Sequence, residues 1–229
     1  MRLTYVAAGA VVLAVAAPAA AKIVEVGQTP DTPPASCPGT DCRTVTKTTG
    51  FLTRAGALKR PVTAADDGRV VAFTLRLGKP DANQIKFFNS TYGGPARAAV
   101  TILQPKPKLN FKVVSQSELY NLQPSFGQTV QIALHRSLRI KKGQIAAITV
   151  PTWAPILAVN LGGTSSWRAS RTTGNCNKFA TQTAQVTIGQ TTQYRCLYST
   201  ARLTYSVTEI TDPTPRPTVV PPTSTTPAQ

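Results

Sequence analysis

The feature that most constrains this chain is a period of two in its apolar residues. In Arg69–Leu77, Val71, Phe73, Leu75 and Leu77 point one way, and Ala72, Thr74 and Arg76 the other. Leu109, Phe111 and Val113 alternate with Asn110 and Lys112. Val130, Ile132 and Leu134 alternate with Thr129, Gln131 and His135. Successive side chains of a strand face opposite ways, so these segments bury one face and wet the other, as antiparallel sheets do. Ala98–Gln104, Tyr194–Tyr198 and Leu203–Val207 also read as strands. Gln144–Val150 and Ile156–Leu161 are unbroken runs that suit strands buried on both faces. Gly/Pro clusters such as Gly78-Lys79-Pro80, Gly93-Gly94-Pro95 and Lys141-Lys142-Gly143 separate the segments. One stretch departs from the pattern. Asp81 and Gln84 match a capping box, and Ala82–Asn89 predicts two helical turns with Ile85 and Phe88 on one face. The expected fold is all-β: a single antiparallel β-sandwich, jelly-roll-like, with one short helix near 82–89. A closed barrel is the alternative.

The two ends of the chain read differently from its middle. Arg2, the apolar stretch Tyr5–Ala17, Pro18 and the small residues Ala19-Ala20-Ala21 predict a signal peptide over 1–21, cleaved after Ala21. An uncleaved membrane anchor is the other reading of that stretch. Residues 22–35, with Pro30, Pro33 and Pro34, read as a linker, and 36–211 as the β-sandwich domain. From Asp212 the chain runs DPTPRPTVVPPTSTTPAQ, with six prolines in eighteen residues. Such a segment sustains neither helix nor central strand and predicts a disordered Pro/Thr-rich tail over 212–229.

Four cysteines in an exported chain point to disulfides. Cys37–Cys42 closes the short loop CPGTDC, and Cys176–Cys196 closes a loop late in the domain. The crossed pairings, which tie the N-terminal segment to the last hairpin, are the alternative. The C-x4-C and C-x19-C spacings do not match the common zinc patterns.

The chain carries 25 Lys+Arg against 9 Asp+Glu, and loss of Arg2 with the leader leaves 24 against 9, or +15. Between Gly68 and Thr211 the only acids are Asp81, Glu118 and Glu209. This field attracts anions without specifying which. Catalytic constellations are sparse. There is a single histidine, His135, on the more polar face of its strand, and no G-x-S-x-G elbow. Asp66-Asp67-Gly68 reads as a turn, and nothing in the sequence brings Glu118 to a second carboxylate. No phosphate loop, dinucleotide fingerprint or metal cluster is present, so no cofactor is expected. Binding is the better-supported class. Pro151-Thr152-Trp153-Ala154-Pro155 reads as a Pro-bounded loop carrying a tryptophan, and Trp167 stands beside Arg168 and Arg171. Indole faces stack on sugar rings and guanidinium groups fix carboxylate or phosphate, so Trp153, Trp167, Arg168 and Arg171 are the candidate ligand-binding residues.

The SCPG opening with its following cysteine, VVAFTLRLGKP, FFNSTYGGPAR and SLRIKKGQIAAITVPTWAP resemble an uncharacterised family of secreted β-sandwich proteins from high-GC soil actinobacteria. The likeness covers most of Ser36–Ile210 and implies fold and compartment, with no activity or functional residue attached. The expected function is that of a secreted or envelope-associated, non-catalytic protein binding an anionic cell-envelope polymer or glycan. The alternatives are a structural or surface-display protein with no soluble ligand and, third, a hydrolase with an unrecognised site. Nucleic acid has only the net charge in its favour.

Overall fold

A computed structural model describes residues 20–39 and 42–213. The expected leader and the tail beyond residue 213 fall outside the described residues, apart from positions 20 and 21. The strands are β1 (Ile23–Val26), β2 (Val45–Ala55), β3 (Leu58–Lys59), β4 (Gly68–Arg76), β5 (Arg97–Lys106), β6 (Asn110–Gln116), β7 (Tyr120–Asn121), β8 (Thr129–Ile140), β9 (Ile145–Ala154), β10 (Leu157–Ala158), β11 (Ser165–Ala169), β12 (Thr191–Gln193), β13 (Cys196–Ser199), β14 (Arg202–Leu203) and β15 (Tyr205–Thr211). One α-helix, α1 (Ala82–Tyr92), interrupts them. The fold is all-β and sandwich-like. A four-stranded sheet in the order β1-β15-β4-β8 faces a larger one in the order β12-β6-β5-β9-β2-β11-β13, with β3 and β7 as short additions. The strands pair antiparallel throughout, and β10 with β14 makes a third, two-stranded piece.

The core lies between the sheets. Phe73, Leu75 and Val207 of the small sheet meet Leu52, Ile102, Ile148 and Val150 of the large one, all fully buried. Alternation predicts most of these positions. It slips at β4, where a bulge between Val70 and Ala72 shifts the phase. Val70 therefore fills the core, and Val71, expected there, is half-buried. Ile145–Val150 is buried on both faces, as its unbroken run implies. Of Ile156–Leu161 only Leu157–Ala158 forms a strand.

Helix α1 forms where the capping box predicts it. Asp81 Oδ1 accepts from the Gln84 backbone N–H at 2.9 Å, and the Gln84 side chain accepts from the Asp81 N–H at 3.0 Å. The helix runs three residues past Asn89, until Gly93 takes the left-handed conformation at φ 85°. Its buried Phe88 and half-buried Ile85 face inward as expected.

Two segments differ from the sequence expectation. Ile23–Val26, inside the expected linker, pairs residue for residue with β15, Ile23 opposite Ile210 and Val26 opposite Val207. The reason is local: the prolines of that segment begin only at residue 30, and Val26 is buried. Ser165–Ala169, not among the segments read as strands, is a strand inserted between β2 and β13.

Register also buries a charge. Glu209 stands opposite Val24 and Val70 and is 2% exposed. Its Oε1 has no hydrogen-bond partner. Burial, and then the carboxylates of Asp66, Asp212 and Asp67, push its pKa up to about 7.

Candidate binding groove

The groove is built on β11. In register, Trp167 of β11 lies between Leu52 of β2 and Tyr198 of β13. The Trp167 and Tyr198 rings stack at 4.5 Å, 22° from parallel. Gly50 makes this possible, because a Cβ there would sit 2.8 Å from the indole ring. Just past β11, Arg171 brings its guanidinium against the Tyr198 ring, with Cζ 5.9 Å from the ring centroid. Its Nη1 donates to Tyr198 Oη and its Nη2 to the Thr46 carbonyl, each at 2.7 Å. That carbonyl is presented at a bulge in β2, where Lys47 adopts φ 43°. The Phe179 ring lies 5.0 Å from Arg171 Cζ, a cation–π contact. The Tyr198 hydroxyl in turn donates to the Cys176 carbonyl at 2.5 Å.

These groups form the floor of an open groove of about 680 Å³. Phe88 and Tyr92 of α1, Leu157 and Leu197 make its walls, and Arg43 and Asn160 its polar rim. Arg171 is 2% exposed, and no ion pair among the described residues involves it. All its partners are neutral. Its Nε and the Trp167 Nε1 are buried N–H donors without an acceptor. Buried polar groups are ordinarily hydrogen-bonded and buried charges paired, so a buried guanidinium with no ion pair among the described residues favours an anion in the groove.

The four expected ligand residues separate. Trp167 and Arg171 meet in the groove. Arg168 lies opposite Phe51 in the β2–β11 ladder, off the groove lining, and its Nη1 donates to the Tyr194 carbonyl at 3.1 Å. Burial and the nearby Arg195 lower its pKa. Trp153 is fully buried. Its Nε1 donates to Asn89 Oδ1 at 2.9 Å and to the Gly94 carbonyl at 3.1 Å, and its ring packs on Phe88 at 4.8 Å. It supports the groove wall from behind and offers no face to a ligand. The flanking prolines suggest a loop, but β9 continues through Trp153, which pairs with Thr46. Sequence reading does not single out Tyr198, Phe179, Phe88 or Tyr92. Only the Tyr194–Tyr198 alternation carries a local signal, for Tyr198.

The disulfides join Cys37 to Cys42 and Cys176 to Cys196, and no described cysteine is free. Cys42 lines the groove, and Cys176 carries the carbonyl that holds Tyr198.

A second polar cluster stands on the surface. Glu118 Oε1 accepts from the Tyr120 hydroxyl at 2.7 Å and lies 2.6 Å from His135 Nδ1. Its own backbone N–H and then the Tyr120 hydroxyl lower the pKa of Glu118, whereas burial and then the bond to Glu118 push Tyr120 up to about 12. The His135 side chain is 81% exposed, and neither Glu118 nor His135 lines the groove. Among the described residues no group of three or more His, Cys, Asp or Glu is arranged to hold a metal ion, and no helix is long and apolar enough to cross a membrane.

No protein-family model, curated protein or solved structure matches this chain.

Proposed function

We propose that this is an exported, non-catalytic binding protein that takes an anionic ring of a cell-envelope polymer or acidic glycan into the groove over Trp167 and Arg171. One observation carries the reading: a guanidinium almost wholly removed from water, with no carboxylate partner among the described residues, against the Tyr198 ring that stacks on Trp167. A sugar ring offers an apolar face to the aromatic walls, and its carboxylate or phosphate offers the negative charge that Arg171 lacks among the described residues. The net charge of +15 left after loss of the leader, 24 Lys+Arg against 9 Asp+Glu, brings such a polymer to the surface by long-range attraction. Two disulfides support an oxidising compartment.

The test is co-sedimentation of the mature chain with purified actinobacterial cell wall across a salt series. Leu197→Glu places a negative charge on the exposed wall without touching the core. Phe179→Ala removes the ring over Arg171. We expect binding that weakens with salt, and a loss of about tenfold or more for Leu197→Glu. Salt-sensitive binding indifferent to both variants would reduce the interaction to generic charge attraction. No binding at low salt would sink the reading.

A further inference from the structure

A second, smaller pocket lies away from the groove, and the expected linker builds it. At the end of β1, Gly27 adopts φ 91° where a Cβ would sit 2.7 Å from Val62 Cγ1, so only glycine makes the turn. The chain then passes over the small sheet, and Gln28 to Pro30 with Thr32 close a pocket of about 250 Å³ against β4, β8 and β15. The sheet side is hydroxyl-bearing. Ser206 stands opposite Thr74 on β15 and β4, and Arg76 opposite Thr129 on β4 and β8. All four line the pocket.

Arg76 has no carboxylate partner among the described residues. Its Nη1 donates to the Thr32 carbonyl, which orients the guanidinium under the cover. Its Nη2 and Nε make no hydrogen bond within the described chain. Thr29 also lines the pocket, and its hydroxyl is buried without a hydrogen-bond partner among the described residues. The Thr32 hydroxyl bonds to the Thr29 carbonyl at 3.3 Å and fixes the cover. No carboxylate lines the pocket. The one aromatic residue, Tyr205, is 3% exposed and spends its hydroxyl on the Ala146 carbonyl at 2.8 Å, so a sugar ring finds no face to stack on.

We propose that this pocket is a binding site for a phosphate-type oxyanion. A guanidinium with open N–H groups beside the hydroxyl-bearing Thr74, Thr129 and Ser206, in a cavity of this size, matches compact tetrahedral oxygen chemistry. The site is independent of the groove, and it admits either free phosphate and monoesters or the diester of a polymer.

The test is isothermal titration of the mature chain with inorganic phosphate, dimethyl phosphate and, as a neutral control, glucose. We expect one saturable oxyanion site. Arg76→Gln weakens it about tenfold or more, and Thr29→Val, which keeps shape but removes the hydroxyl, about threefold. Leu197→Glu in the groove leaves it unchanged, which separates this site from the proposed groove function. Tighter binding of phosphate assigns the site to free phosphate or monoesters, and tighter binding of dimethyl phosphate assigns it to a polymer diester. Both support the proposal. No saturable heat with either oxyanion overturns it. So does binding indifferent to both Arg76→Gln and Thr29→Val, or binding of glucose in their place.

Discussion

Arg171 and Glu209 are both charged groups removed from water, and the fold treats them differently. Arg171 is surrounded by neutral acceptors and aromatic faces, with no ion pair among the described residues. Glu209 meets apolar neighbours on one side and three carboxylates on the other, which favour its protonated form. Its folded pKa of about 7 lies above the ordinary 4.5. The native state therefore binds the proton more tightly than the unfolded chain, and this stabilisation is complete below pH 4.5 and lost as pH rises through about 7. Solvent near Asp67 and Asp212 screens part of the effect. Glu209→Gln is expected to match the parent at pH 4 and to exceed its stability by about 1–2 kcal/mol at pH 8. Urea unfolding at the two pH values checks this, and equal midpoints at pH 8 would contradict it.

At the scale of elements, the segment between Cys176 and Cys196 acts as a strap across the outer face of the large sheet. Thr49, Thr149 and Thr101 form a hydroxyl row there, with contacts of 2.8 and 2.6 Å. The Gln185 backbone N–H donates to Thr49 Oγ1 at 3.1 Å, and its Oε1 accepts from the Tyr194 hydroxyl at 2.6 Å. The same strap delivers Phe179 and the Cys176 carbonyl to the groove. Replacing both Cys176 and Cys196 by serine opens a loop of sequence separation 20. The chain-entropy cost is about 3 kcal/mol. The expected result is a lower urea midpoint together with weaker groove binding. A lower midpoint with unchanged binding would show that the strap stabilises the sheet without positioning Arg171. This element also shows why β2 is hard to read from sequence. Thr49 faces outward because Gln185 of the strap supplies its hydrogen bonds, Gly50 makes room for Trp167, and Lys47 breaks the alternation at a bulge. Each departure is dictated by a partner more than a hundred residues away.

For the whole molecule, the legible part was whatever depends on local period and local chemistry. The antiparallel strands, the sandwich, the capped helix and the break at Gly93 all follow from residues close in sequence. The candidate site was legible only in part. Trp167 and Arg171 are neighbours in sequence and meet in the groove, whereas Trp153 is claimed by Asn89, Gly94 and Phe88 from a distant helix and turn. A tryptophan's exposure depends on what packs over it, and period alone is silent on that. The expected linker failed for the same reason: Ile23 and Val24 look unremarkable until β15 is placed beside them.

That last pairing has a mechanical meaning. Lys22 bonds to Thr211 by its backbone N–H and carbonyl, so the strand that begins the described fold and the strand that ends it lie side by side at their outer ends. Tension applied between residues 22 and 213 loads the β1–β15 ladder one rung at a time, and never all rungs together. The domain should peel open like a zipper at low force in single-molecule stretching between these ends. The same domain pulled between Lys22 and Gly163 should resist more, because the β1–β15 bonds are then no longer opened from their free end.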